Sequence, residues 1–259
     1  MTIKNLTSVE KTDIEDRLTH AVGVVSKKEI IKKLLERWGK DIIVKLFGGA
    51  IRDAIIGADP VDYDVVIVSD EKIRAEMFRM INKDYKGDLK IVRRGYRGTL
   101  SETHHYLVRF SDMDLVFVES VKTLRFDYDI NTLSIQLQSD RKPGCTIEDI
   151  KTFSDRSVPE IVERIRKMEM LSLNSISGIM STGDPLLGRF HQLYRVCKMY
   201  NKGFHDVSDT AITDIKTMYD AHKKDTTERV ITEDERAKRK FIKETIPEVL
   251  SVLREELYP

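Results

Sequence analysis

The residue types most able to do chemistry lie in one stretch, from Gly48 to Asp64. Gly48 and Gly49 follow a short apolar run, and Asp62 and Asp64 open the next one. A Gly-Gly turn before a helix presents backbone N–H groups to a phosphate. Acids two residues apart point to the same side of a strand. Together they indicate phosphoryl transfer assisted by a metal ion, although a tight turn and two edge acids would give the same pattern.

A third carboxylate precedes another apolar run. Asp112 and Asp114 stand before residues 115–118, as Asp62 and Asp64 stand before the run that follows them. An acid at the start of a buried strand is costly unless a cation or a partner offsets its charge. We predict that Asp112 is a turn residue and that Asp114 joins Asp62 and Asp64 in holding two Mg²⁺ ions.

The elements that must position these acids alternate between strands and helices. Apolar runs and turn residues predict strands at 41–47, 63–69, 89–93, 106–110, 114–119 and 130–137, and helices at 27–38, 51–56 and 70–82. Ser26 is the expected N-cap of the helix over 27–38, and Gly39 and Gly57 are expected to end helices. No strand is expected after about residue 140.

The pattern becomes helical from about residue 157. Helices are predicted at 159–173, 184–200, 208–223 and 226–257, with Pro247 in the first turn of a final helix. The composition changes near residue 155. The sequence therefore predicts a catalytic head over 1–155 and a helical part over 156–259.

Composition narrows the class of protein. The 259 residues carry a formal net charge of +1, so nucleic-acid binding would need a local patch. Charged residues make up 34%, a high share that suits a soluble protein with long, solvated helices. Cys145 and Cys197 lack metal-ligand spacing and are expected to be free thiols. No apolar run is long enough to span a membrane, so we expect a cytoplasmic protein without a membrane partner.

The chain resembles the class II CCA-adding enzymes and bacterial poly(A) polymerases of the DNA polymerase β nucleotidyltransferase superfamily. Their Gly-Gly-x-x-Arg-Asp motif followed by Asp-x-Asp is matched by Gly48, Gly49, Arg52, Asp53, Asp62 and Asp64. The resemblance implies an α+β fold: a nucleotidyltransferase head with a mixed β-sheet and flanking helices, then an all-helical neck and a short body. It implies that the motif binds triphosphate and metal, with Asp114 as the third carboxylate.

Three further elements continue the resemblance, as far as the hinge between head and neck. The family's Arg-Arg-Asp-Phe-x-x-Asn-Ala motif keeps Arg125, Asp127 and Asn131 here, while Phe126 replaces the second arginine. The resemblance implies that these residues contact the sugar and the phosphates. An Asp-x6-Arg element at the hinge between head and neck is matched by Asp149 and Arg156. A Gly-Thr pair is matched at residues 98 and 99.

The motif that reads the base in the family is only partly kept. The family's motif is Glu-Asp-x-x-Arg. In this sequence Gly183 stands at the glutamate position, Asp184 matches the aspartate, and Leu187 stands at the arginine position. Arg189 and Arg195 are the arginines nearest to that role. The resemblance thus implies Asp184 with Arg189 or Arg195 as the residues that read the base.

The resemblance implies a template-independent RNA nucleotidyltransferase that uses Mg²⁺ with ATP and CTP as substrates. Addition or repair of the 3′ CCA of tRNA is the first expectation, and poly(A)-type tailing is the second. Transfer to a non-RNA acceptor and a catalytically silent RNA-binding protein are further alternatives. The presence of all three acids argues against the silent protein.

Overall fold

The structure is a computed structural model that describes residues 6–85, 90–94, 105–110, 112–124, 126, 128–138, 144–171, 185–208, 211–223 and 233–257. For some helix and strand residues within these ranges only the backbone is described. The chain forms two compact units, the first ending at Arg166 and the second beginning at Lys167.

The first unit consists of a mixed sheet and helices. Its helices are α1 (Ser8–Ser26), α2 (Glu29–Trp38), α3 (Gly49–Ile56), α4 (Glu71–Asp84) and α5 (Val158–Arg166). Its strands are β1 (Ile43–Phe47), β2 (Tyr63–Val68), β3 (Lys90–Arg94), β4 (His105–Arg109), β5 (Met113–Val118), β6 (Leu133–Leu137) and β7 (Lys151–Thr152). Short 3₁₀ turns at Val121–Thr123, Asp129–Asn131 and Ile147–Asp149 connect them.

The sheet order is β3-β4-β5-β2-β1-β6-β7 in the described part of the chain. β2 and β5 run parallel, and the other neighbouring pairs run antiparallel. A parallel pair needs a crossover connection, which here includes α4 and the β3–β4 pair. This arrangement is the mixed sheet with flanking helices that the resemblance implies.

The two faces of the sheet differ in chemistry. One row of paired residues across the strands points to one face of the sheet, and its five side chains are fully buried: Val108, Leu115, Val65, Leu46 and Ile135. The adjacent row points to the other face, because side chains alternate along each strand. That row includes Asp114 on β5 and Asp64 on β2, which are half-buried. The predicted acids therefore lie on the face opposite this apolar layer.

Local sequence signals explain most helix ends, with one correction. Gly57 adopts a left-handed conformation at the end of α3, and the Asp70 side chain accepts a hydrogen bond from the N–H of Ile73 to cap α4. Ser26 is not the N-cap of α2: it is the last residue of α1, and α2 begins after Lys28. A capping box between Thr7 and Glu10 starts α1, which then continues through the serine.

The second unit contains helices α6 (Pro185–Tyr200), α7 (Ala211–Lys223) and α8 (Glu233–Leu257), and a parallel pair of strands β8 (Glu169–Met170) and β9 (His205–Asp206). The prediction that no strand follows residue 140 is wrong for β7, β8 and β9. Each has only two residues, which is too short to produce a periodic pattern.

Two predicted helix boundaries in this region are also wrong. The helix predicted over 159–173 ends at Arg166, because Met168 takes a positive φ of 58° that a right-handed helix does not allow. Pro247 lies inside α8 rather than at a helix start. Ile242, Ile246 and Val249 are buried at helical spacing around it, and this packing offsets the hydrogen bond that a proline cannot donate. No described helix has the length and apolarity that a membrane span needs.

Candidate active site

The Gly-Gly turn lies directly beside one of the predicted metal ligands. Gly48 has φ 73° and ψ −129°, a conformation open essentially to glycine alone. Its N–H donates to the carbonyl oxygen of Leu133 at 3.0 Å, and a Cβ at Gly48 would lie 3.6 Å from Asp64 Oδ2. Helix α3 begins at the next residue, Gly49. The turn and the carboxylate therefore lie beside one another.

Asp64 and Asp114 are register partners on the parallel strands β2 and β5. Residues directly opposite on neighbouring strands point to the same face, about 5 Å apart. Two carboxylates at this separation repel unless a cation lies between or beside them. The expectation of acids on neighbouring strands is thus confirmed for these two residues.

Asp62 is close to this pair but lies outside the strand. β2 begins at Tyr63, so Asp62 is the residue before it and its side chain is exposed. The expectation that both acids of Asp-x-Asp belong to one strand is therefore wrong for Asp62, while Asp64 is within β2. Asp112 lies in the bend before β5, as predicted, where Lys28 donates a hydrogen bond to it.

Sequence reasoning missed the cation of the site, Arg109. It is the register partner of Asp114 on β4, and its Nε and Nη2 donate to the two oxygens of Asp114 at 2.8 and 2.6 Å. These hydrogen bonds raise the pKa of Arg109, and the charges of Asp114, Asp64 and Asp62 act in the same direction. The arginine thus lies in the field of all three predicted metal ligands.

Arg52, Asp53 and Asn131 form a buried network behind the turn. The Arg52 side chain is 6% exposed and that of Asp53 is 4% exposed. Arg52 Nε and Nη2 donate to Asp53 Oδ1 at 2.8 and 2.6 Å, and Nη1 donates to Asn131 Oδ1 at 2.8 Å. The arginine predicted to hold the triphosphate therefore joins α3 to the 3₁₀ turn at Asp129–Asn131.

A second missed residue, Asp129, connects this turn to α5. Its carboxylate is fully buried, and Oδ1 accepts the N–H of Ile130 at 2.9 Å. Oδ2 lies 3.3 Å from Arg164 Nε and 4.0 Å from Arg156 Nε. The predicted hinge pair has different contacts, because Arg156 approaches Asp129 while Asp149 accepts hydrogen bonds from the N–H and hydroxyl of Thr146.

Several predicted site residues lie outside the described part of the chain. Arg125, Asp127, Asp184 and the Gly-Thr pair at 98–99 are among them. Arg189 is in α6, where only its backbone is described, and Arg195 is an exposed residue of the same helix. The proposed base-reading pair therefore stays a prediction.

The donor chemistry of the site fits a hard divalent cation. Carboxylate oxygens are the protein ligands that Mg²⁺ prefers, and Asp64 and Asp114 offer them side by side. Among the described residues no group of three or more acidic, histidine or cysteine side chains is already arranged around one point. Arg109 explains part of this, since it binds both oxygens of Asp114.

Comparison with known proteins finds a likeness of fold only. No family model matches the sequence, and none of the curated proteins matches it either. Solved structures of CCA-adding enzymes do match in fold. One, in complex with CTP, has 15% identity and a TM-score of 0.50, and the match covers 88% of this chain and 51% of that one.

Two further structures agree with this resemblance. A CCA-adding enzyme in complex with ATP has 16% identity and a TM-score of 0.50 over 90% of this chain and 50% of that one. The Thermotoga maritima CCA-adding enzyme complexed with tRNA has 16% identity and a TM-score of 0.51 over 88% and 50%. The chain thus spans about half the length of these enzymes. At this identity the likeness shows the fold alone, and it confirms the predicted α+β class with a mixed sheet and flanking helices.

Proposed function

We propose that this protein is a template-independent nucleotidyltransferase that transfers nucleotides from ATP and CTP to the 3′ end of an RNA. The observation that carries the proposal is the row in which Asp114 and Asp64 lie opposite one another beside the Gly48 turn. A glycine-only turn lets a phosphate approach the backbone, and the paired carboxylates provide the neighbouring cation site. The fold of the CCA-adding enzymes supports the same class of reaction.

Each part of the site has a proposed role. Asp62, Asp64 and Asp114 hold Mg²⁺, which when bound supplies positive charge at the triphosphate and at the acceptor hydroxyl. Gly48 and Gly49 leave room for the triphosphate at the start of α3. The site then lowers the barrier mainly by alignment and by charge complementarity.

The buried network has a positioning role. Arg52 is engaged by Asp53 and Asn131, so it fixes the start of α3 relative to the 3₁₀ turn. Arg125 and Asp127 flank that turn in sequence and are proposed to contact the phosphate and the sugar. Asp184 with Arg189 or Arg195 is proposed to read the base.

The acceptor is proposed to be a tRNA that lacks its terminal CCA. The structures that share the fold include complexes with CTP, ATP and tRNA, which supports this choice. This chain covers about half of those enzymes, so the acceptor is the part of the proposal that needs a direct assay.

The assay follows incorporation of one labelled nucleoside triphosphate at a time, with Mg²⁺, into tRNA lacking CCA and into an unrelated RNA. We expect C and then A to be added to the tRNA alone. Runs of A on both RNAs would identify a poly(A)-type enzyme, and transfer to neither RNA would contradict the proposal.

A pair of variants tests the site itself. Asp64→Asn should lower incorporation by at least about a hundredfold, because it removes one charge from the cation site. Asp112→Asn is the matched control: it lies near the same strand end but pairs with Lys28, so activity should stay near that of the wild type. Equal activity of the Asp64→Asn variant and the wild type would refute the assignment.

A further inference from the structure

The row that contains the two carboxylates continues across the sheet. In register order it consists of Arg109, Asp114, Asp64, Phe47, Ser134 and Lys151. Neighbouring strands are about 4.8 Å apart, so Phe47 lies about 5 Å from Asp64 along the row and Lys151 about 14 Å. The chemistry of this face thus changes from acidic to aromatic to basic in one direction.

The aromatic part of the row is a cluster of three phenylalanines. Phe126 and Phe153 stack with ring centroids 5.5 Å apart and an angle of 21° between the planes. Phe47 meets both rings edge-on, at 6.0 Å and 6.1 Å. All three side chains are half-buried rather than enclosed in the core. We call this group the phenylalanine cluster.

Two lysines adjoin the cluster: Lys45, two residues before Phe47 on β1, and Lys151, at the end of the row away from the carboxylates. Lys45 Nζ lies 5.3 Å from the centre of the Phe153 ring. Burial lowers the pKa of Lys45, and the charge of Lys151 lowers it further. Lys151 donates to the backbone carbonyl of Glu148, and among the described residues no carboxylate forms an ion pair with either lysine. Two cations that repel one another in this way favour an anion between them.

We propose that the phenylalanine cluster is a stacking platform for unpaired bases of an RNA strand, with Lys45 and Lys151 on the phosphates upstream of its 3′ end. Aromatic rings that stack bases beside cations that follow the backbone are the general means of binding single strands. The proposal rests on the proposed function, since it takes the 3′ end to lie at Asp64.

The charges favour a strand over a mononucleotide. A nucleoside triphosphate carries all its negative charge in one group, which the Gly48 turn and the cation site would bind. It would leave no anion for Lys45, which is two residues from Phe47 along β1, or for Lys151 on the far side of Phe47. A polynucleotide has a phosphate at every nucleotide and so supplies charge in both places.

The test measures binding of the full chain to a fluorescent single-stranded RNA by anisotropy, in EDTA and without nucleotide. Phe126→Leu and Phe153→Leu should each weaken binding at least about fivefold, because a branched aliphatic side chain cannot stack on a base. Lys151→Gln should reduce the slope of log K against log salt concentration by about 0.7, the value for one phosphate contact on a single strand.

Matched controls separate this surface from general effects. Phe78→Leu removes an aromatic ring that packs against Phe117 on the other face of the sheet, and Lys72→Gln removes an exposed lysine of α4. Both should bind RNA like the wild type, and circular dichroism should show all variants to be folded.

The outcomes distinguish this proposal from the proposed function. Unchanged RNA affinity in the Phe126→Leu and Phe153→Leu variants would overturn the platform, even if the wild type incorporates nucleotides. If these variants bind a nucleoside triphosphate more weakly but bind RNA like the wild type, the platform is also overturned, in favour of a mononucleotide site. If the variants bind RNA weakly while the wild type incorporates nothing, the platform stands and the proposed function fails.

Discussion

Replacing Arg109 by glutamine should destabilise the metal-free protein and increase its response to Mg²⁺. The guanidinium binds both oxygens of Asp114, and its side chain is 50% exposed while that of Asp114 is 21% exposed. A pair this exposed contributes about 1 kcal/mol at most on its own. Its loss also leaves Asp114 facing Asp64 without a cation.

The second contribution follows from the register. Two charges about 5 Å apart repel by about 1 kcal/mol in water and by about 3 kcal/mol at an effective dielectric constant of 20. With one face of the pair open to solvent, we expect Arg109→Gln to cost about 1–2 kcal/mol in total. For a chain of this size that corresponds to a fall in Tm of about 2–6 °C.

Mg²⁺ should reverse this loss. On the proposed function, Mg²⁺ would compete with Arg109 for Asp114 in the wild type, so the variant should bind Mg²⁺ about fivefold more tightly for each 1 kcal/mol that the lost pair contributed to stability. The assay is thermal unfolding at increasing Mg²⁺ without nucleotide, where tighter binding gives a larger rise in Tm.

Two further variants make the test specific. A double-mutant cycle with Asp114→Asn should give a coupling energy of about 1 kcal/mol between the two residues. Lys28→Gln breaks the neighbouring pair with Asp112 and should leave the Mg²⁺ response unchanged. If Arg109→Gln is as stable as the wild type, or gains no more from Mg²⁺, then the arginine does not neutralise this site.

Three further predictions concern the turn, the basic side and the thiols. Gly48→Ala should lower the free energy of unfolding, measured in urea, by about 1–3 kcal/mol, because alanine does not readily adopt a φ of 73° with a ψ of −129°. Gly49→Ala, inside α3, should lower it by less, and equal losses would contradict this. Lys45→Met should raise Tm slightly, because it removes a charge that burial disfavours. It should also remove the rise in stability that the wild type shows as pH increases from the lowered pKa of Lys45 towards 10.5; an unchanged pH profile would refute the role of burial. Burial raises the pKa of Cys197 to about 12, so its thiol should react with Ellman's reagent only after unfolding; rapid reaction of the native protein would contradict its burial.

The residues that sequence reasoning located correctly are those whose chemistry is local. Gly48 follows an apolar run and precedes a helix, and Asp64 and Asp114 each stand at the start of an apolar strand. Strand periodicity then decides which face each side chain occupies. Placing the two acids beside one another required that their strands be neighbours and that the acids occupy the same position near the start of each strand.

Arg109 was missed because its role depends on the register between β4 and β5. Nothing in a single strand shows which residue lies opposite. A signal was nevertheless present: Arg109 and Asp114 flank a short connection between two apolar runs, which is the pattern of a hairpin with opposite charges across its strands. The pairing could therefore have been inferred from the hairpin.

Asp129 was missed for a different reason. It lies within the motif that includes Asn131, at a position to which the resemblance assigns no role. Its contacts with Arg164 and Arg156 join residues far apart in the sequence, so only the packing of α5 reveals them. The buried charge is tolerated because arginines adjoin it, and removing them would leave a costly unpaired carboxylate.

Burial also separates two kinds of motif residue that a sequence match treats alike. Asp64 and Asp114 are half-buried on the face that carries the site. Arg52 and Asp53 are nearly inaccessible and are bound to one another. Arg52 donates at least three of its five N–H groups to Asp53 and Asn131. The same Gly-Gly-x-x-Arg-Asp motif therefore contains both the glycine turn beside Asp64 and the buried pair that joins the start of α3 to the 3₁₀ turn.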